Sequence, residues 1–257
     1  MELWHEVKND GGGPTVLWLH GALVSSWMWT PQIEAMPDVR SVLVDLPGHG
    51  KSVHREWVDF EDTADAVLAV LDQVGATGPV HLVGMSLGAI VALHVMALAP
   101  ERIGRAVLTG GQAEPVPRIL TWANLAVGAL TQLPGAEGLV ARALQLPPEA
   151  REGFHEAGLA LDRRSFFRIN DQLVSDFLPE GLDAVPCPTL LLAGSEEPTL
   201  TMRAQRLLRD TLPHAEAAIA PGCHHAWSGE KPALFTATVQ AWLDGSALPE
   251  EMLPVEA

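Results

Sequence analysis

Short apolar runs alternate along this chain with stretches in which apolar residues recur every three or four positions. Thr15–Leu19, Ser41–Val44, Val80–Val83, Ala106–Leu108 and Thr189–Leu192 are continuous apolar runs. They lack in/out alternation, the pattern of strands covered on both faces. Ala215–Ile219 is a further strand candidate. Between them, Phe60–Val74 carries Ala64, Val67, Leu68 and Leu71 on one helical face, with Gly75 as its stop. Leu87–Ala99 is apolar nearly all round, predicts the most buried helix, and is stopped by Pro100. Thr201–Leu212 and Pro232–Leu243 complete the helices. Strand–helix alternation with short connections predicts an α/β fold, a mostly parallel sheet with helices on both faces.

One segment breaks the rhythm. From Gln112 to Asp183 no strand run occurs, and helical stretches are punctuated by Pro115, Pro117, Pro134, Pro147, Pro148 and Pro179. It is expected to be a helical cap, residues 112–183, inserted into a core made of residues 1–111 and 184–257. A cap there can cover the carboxyl ends of the strands, where open α/β sheets bind ligands. Ser246–Ala257 is expected to be a frayed tail.

The 257 residues are enough for one large core with an insertion. The formal net charge of −16 repels phosphate backbones, so nucleic acid is not an expected partner. No run reaches the ~18 apolar residues of a membrane span. The longest candidate, Ile119–Leu133, is interrupted by Asn124, Gly128 and Gln132. Residues 1–6 do not read as a signal peptide, and a cytoplasmic location is expected. Cys187 and Cys223 are expected to be free thiols, and no histidine–cysteine spacing predicts a metal. No cofactor is expected, and the oligomeric state is left open.

The chemistry concentrates in four places. Gly84-Met85-Ser86-Leu87-Gly88 follows a strand and opens a helix. This is the context in which Gly-x-Ser-x-Gly lifts a serine above a sheet on a strained turn, so Ser86 is the candidate nucleophile. His20-Gly21 ends the strand Thr15–Leu19, and the backbone N–H groups of Ala22 and Leu87 are candidate oxyanion donors. His20 itself is expected to pack the loop and not to act as a base. The base is expected in His224-His225, beyond the strand Ala215–Ile219. Beyond the strand Thr189–Leu192 lie Glu196 and Glu197; Glu197 is the candidate acid that orients the imidazole, with Glu196 as its rival. The order serine, carboxylate, histidine is the one this architecture imposes. Gly50-Lys51-Ser52 imitates the end of a phosphate-binding loop, but Asp45 stands where that loop needs a glycine.

These motifs together resemble the α/β-hydrolase family over nearly the whole chain. The similar segments are Leu19–Ala22, Asp45–Ser52, Gly84–Gly88, Gly194–Glu197 and His225–Pro232. The resemblance implies Glu197 as the acid, His225 and not His224 as the base, and Asp45 as part of a structural turn. It departs from the family pattern in having Glu for the usual Asp acid and His224 for the usual glycine before the base. A serine nucleophile excludes the dehalogenase and epoxide-opening members. The resemblance leaves carboxylesterases, thioesterases, lactonases and carbon–carbon bond hydrolases, and the apolar residues of the insertion favour a small or medium, largely apolar ester or thioester cleaved through a Ser86 acyl-enzyme. Carbon–carbon hydrolases or lyases and slow-turnover ligand receptors share the same triad. Trp27, Met85, Trp122 and Leu125 are candidate pocket residues, and Arg163, Arg164 and Arg168 are expected to form a solvated helix face.

Overall fold

The computed structural model describes residues 2–133, 135–143, 146, 148–175 and 177–255. Pro134 and Pro147, two of the expected helix breakers, lie outside the described residues, as do Met1 and the last two residues of the expected tail.

Among the described residues the strands are β1 (His5–Lys8), β2 (Thr15–Leu19), β3 (Arg40–Val44), β4 (Val80–Met85), β5 (Ile103–Thr109), β6 (Thr189–Gly194), β7 (Ala215–Ala220) and β8 (Leu253–Pro254). They form one sheet in the order β1-β3-β2-β4-β5-β6-β7-β8. Strands β2 to β7 pair in parallel, while β1 and β8 run antiparallel along the two edges. The tail expected to fray is therefore partly ordered: Ala218 pairs with Pro254, Ile219 pairs with Leu253, and Met252 is buried. Both edge strands are short, and Glu6 and Lys8 on β1 leave no apolar run to detect.

Side chains of one strand feed two cores because successive residues point to opposite faces. Leu17 and Leu19 of β2 join one apolar cluster with α2 (Phe60–Gln73) and α3 (Leu87–Leu98). Val16 and Trp18 join the other, with α1 (Thr30–Ala35), Trp227 and α10 (Pro232–Asp244). Helix α2 starts where the Asp59 carboxylate accepts from the Asp62 N–H at 2.7 Å, an N-cap worth about 1 kcal/mol. Cys187 and Cys223 are free and buried.

Between β5 and β6 the chain runs through α4 (Arg118–Leu130), α5 (Glu137–Ala143), α6 (Arg151–Leu159) and α7 (Arg163–Gln172), with no strand among the described residues. Val140, Ala141, Phe154 and Phe166 from these helices, with Leu161 between α6 and α7, form a third cluster with Leu23, which follows β2. Helix α8 (Thr199–Thr211) and the short α9 (Trp227–Glu230) complete the set. Among the described residues no helix is long and apolar enough to cross a membrane.

Candidate active site

The strand order turns back on itself at β2: the chain goes from β2 to β3 on one side and reaches β4 on the other. At such a switch point the loops after two neighbouring strands part and leave a crevice. Here the parting loops are His20–Ala22 after β2 and Ser86 after β4.

Ser86 sits in the tight turn between β4 and α3 with φ 52° and ψ −112°, a left-handed conformation costly for any side chain. Its neighbours show what holds it there. A Cβ on Gly84 would lie 2.6 Å from the Gly88 carbonyl oxygen, and one on Gly88 would lie 2.3 Å from the Leu19 carbonyl oxygen. Glycine at both positions lets the helix start directly over the strands. The Ser86 N–H donates to the Thr109 carbonyl at 2.8 Å, and its carbonyl accepts from Ala89 and Ile90 at 3.0 and 3.2 Å. The strain is thus fixed by backbone bonds on both sides. The N–H of Leu87, at the first position of α3, belongs to the helix turn that has no intrahelical acceptors.

Ala22 borders the same cavity as Ser86. The loop that carries it is shaped by Leu23, which also has a left-handed φ, of 64°. His20 is buried beneath this loop. Its Nδ1–H donates to the Gly21 carbonyl at 2.7 Å, and its Nε2 accepts from the Leu46 N–H at 2.9 Å. Two backbone partners fix the tautomer, and burial lowers its pKa against the pull of Asp45. His20 is therefore a packing residue. The Asp45–Ser52 turn is also structural: the buried Asp45 carboxylate accepts from the N–H groups of Ser26 and Lys51, both at 2.8 Å.

The loops that carry Glu197 and His225 are stitched together. The Glu196 N–H donates to the Cys223 carbonyl at 2.9 Å, and the Gly222 N–H to the Ser195 hydroxyl at 2.8 Å. The Glu197 side chain is fully buried, and its Oε2 lies 2.7 Å from Nδ1 of His225. Glu196 is exposed, with Oε1 at 3.1 Å from its neighbour, the Ser195 hydroxyl. Burial pulls the His225 pKa down, but the hydrogen bond and charge of Glu197 outweigh it, and the net shift is upward. The His225 ring borders the cavity that holds Ser86. His224 turns to Glu230, whose carboxylate lies 3.1 Å from the ring and accepts from the His224 N–H.

Two supports carried no signal in the sequence. Gly110, with φ +64°, packs under the imidazole, where a Cβ would come within 2.7 Å of His225 Cε1. The buried Trp227 indole donates to the Thr109 hydroxyl at 2.8 Å and ties the loop of His225 to the end of β5. Both depend on β5 lying beside β4 and β6, which no local pattern reveals.

The cavity at Ser86 measures about 220 Å³. Trp27, Met28 and Met85 line it from the core, and Asn124, Leu146, Ala150, Phe154 and Phe166 from the inserted helices. Trp122 and Leu125, expected to line it, do not. Asn124 faces the cavity, and the 3.6-residue period turns Trp122 about 200° away, to a position that is 66% exposed. Leu125 packs instead against the cluster of Leu23, Phe154 and Phe166. Arg163, Arg164 and Arg168 also stay outside the cavity lining; Arg168 pairs with Glu56 at 3.1 Å. Among the described residues no cluster of three or more histidine, cysteine or carboxylate side chains is arranged to hold a metal.

The family model described as "Alpha/beta hydrolase family" matches residues 16–238. The chain belongs to the α/β hydrolase family. The match runs from β2 into α10, so it takes in Ser86, Glu197 and His225. Among curated α/β hydrolase relatives, a putative carbamate hydrolase, RutD, from Caulobacter sp. (strain K31) is 29% identical, covering 95% of this chain and 97% of the relative. The (E)-2-((N-methylformamido)methylene)succinate hydrolase of Acinetobacter baylyi (strain ATCC 33305 / BD413 / ADP1) is 26% identical, covering 93% and 94%. The enol-lactonase from Burkholderia xenovorans LB400 superposes with a TM-score of 0.80 at 18% identity, covering 94% of this chain and 96% of that one. A hydrolase from Pseudomonas aeruginosa PA01 gives 0.79 at 23% identity, with 94% of each chain covered. These likenesses each cover 93–95% of this chain, and the relatives named are hydrolases.

Proposed function

We propose that this chain is a serine hydrolase that cleaves a small or medium, largely apolar ester or thioester through an acyl-enzyme on Ser86. The observation that carries the reading is the Glu197–His225 contact of 2.7 Å, with the imidazole on the same apolar-walled cavity as the strained Ser86. In this mechanism Glu197 accepts the Nδ1–H of His225 and holds the tautomer whose Nε2 is a free base. His225 takes the Ser86 proton, the serine oxygen attacks the carbonyl, and the N–H groups of Ala22 and Leu87 receive the oxyanion. His225 then protonates the leaving group. Water repeats the sequence on the acyl-enzyme. The inserted helices act as a cap that supplies the outer wall of the pocket and keeps bulk water away.

The test is a panel of p-nitrophenyl esters from acetate to decanoate, run on the wild type and Ser86→Ala. Fast multiple turnover of the shorter esters, lost in the variant, supports the reading. Slow or single-turnover behaviour at every length, or equal rates in both proteins, overturns it.

The upward shift at His225 has a pH signature. The base works as neutral imidazole, so activity rises as the proton leaves. The acid limb of kcat/KM is expected to have its midpoint above the ordinary histidine value. Glu197→Gln removes the charge that holds the proton, so the limb of its residual activity is expected to move to lower pH. A limb that stays in place would uncouple Glu197 from the titrating base.

A further inference from the structure

Trp27 borders two cavities at once. One is the catalytic cavity with Ser86 and His225. The other, of about 650 Å³, is lined by Trp4, Ile33 and Leu43 together with the exposed Lys8, Glu34, Lys51 and Glu156. Trp27 is therefore shared between the wall of the cavity at Ser86 and that of a second, solvent-facing space.

The way the ring is held suits a partition. Its backbone is pinned through its neighbour, because the Ser26 N–H donates to the buried Asp45 carboxylate at 2.8 Å. Its side chain is held by shape. A Cβ on Gly153 of α6 would lie 2.6 Å from Trp27 Cδ2, so the ring occupies the room that a side chain at 153 would fill. The indole Nε1 is buried without a hydrogen-bond partner, so no polar anchor is lost when the ring is cut back.

We propose that Trp27 sets the acyl-chain length limit of the enzyme, by closing the catalytic cavity against the second cavity. Straight acyl chains that end before the indole are accepted, and longer ones meet its face. Removing the ring joins the two spaces and lets a longer chain run through. The second cavity has a mixed wall in which Trp4, Ile33, Leu43 and Ala160 stand among the polar groups, so a longer chain also meets apolar surface there. Forcing extra methylenes against a packed wall is a steric cost that discriminates by about tenfold or more.

The inference rests on the hydrolase reading above, and the experiment separates the two. Trp27→Ala and Trp27→Phe are compared with the wild type on p-nitrophenyl butyrate, octanoate and decanoate, with fluorophosphonate labelling of Ser86 as a check on the site. The decanoate-to-butyrate ratio of kcat/KM is expected to rise by roughly tenfold or more in Trp27→Ala, and by less in Trp27→Phe. The phenyl variant keeps an aromatic ring and carries the test if the alanine variant does not fold. An unchanged ratio in the labelled variants overturns the role of Trp27 and leaves the hydrolase reading standing. A wild type that neither labels at Ser86 nor turns over any ester overturns both.

Discussion

Ser86→Ala is expected to lower ester turnover by about 10⁴–10⁶-fold while leaving the fold intact. The substitution removes one oxygen. It keeps the Cβ, so the left-handed φ of 52° and the backbone bonds to Thr109, Ala89 and Ile90 are retained. A loss of that size with an unchanged thermal transition is a loss of chemistry. Ser86→Gly separates the two effects further. Glycine adopts the same conformation without strain, so this variant is expected to be as inactive and more stable by about 1 kcal/mol. Thermal unfolding with parallel rate measurements checks both. Substantial turnover in either variant would remove the serine from the mechanism.

Glu197→Gln is expected to cost roughly 10⁴-fold in kcat, and Glu196→Gln less than about threefold. The difference comes from where the two carboxylates lie. Glu197 is buried against Nδ1 of His225 at 2.7 Å, whereas Glu196 is exposed and faces Ser195. A glutamine amide in place of Glu197 can present its N–H₂ to Nδ1. That bond favours the tautomer with the proton on Nε2, which cannot accept the serine proton. Steady-state kinetics of the two variants checks this. The reverse order would move the orienting role to Glu196 and require the acid loop to refold.

The central strands were legible because burial on both faces writes a continuous apolar run, as in Thr189–Leu192. The edges were not. His5–Lys8 carries charge on a strand with one free side, and Leu253–Pro254 is too short to show a period. The nucleophile turn was legible because steric demands at Gly84 and Gly88 restrict the residue types locally. Sequence favours Glu197 over its neighbour Glu196, family spacing points the same way, and the buried carboxylate that touches the imidazole is Glu197. Gly110 and the Trp227–Thr109 bond were invisible, since each acts across neighbouring strands. On α4, apolar identity pointed to Trp122 and Leu125, but helix phase turned the polar Asn124 to the cavity.

The claim beneath all of this is that the imidazole of His225 activates the Ser86 hydroxyl. Fluorophosphonate labelling followed by peptide mass spectrometry reads that activation at the atom concerned, without a substrate being known. One adduct per chain, on Ser86, is expected in the wild type, with labelling slowed by orders of magnitude in His225→Ala. An adduct on another residue, or labelling of Ser86 at an undiminished rate without the imidazole, would contradict the account.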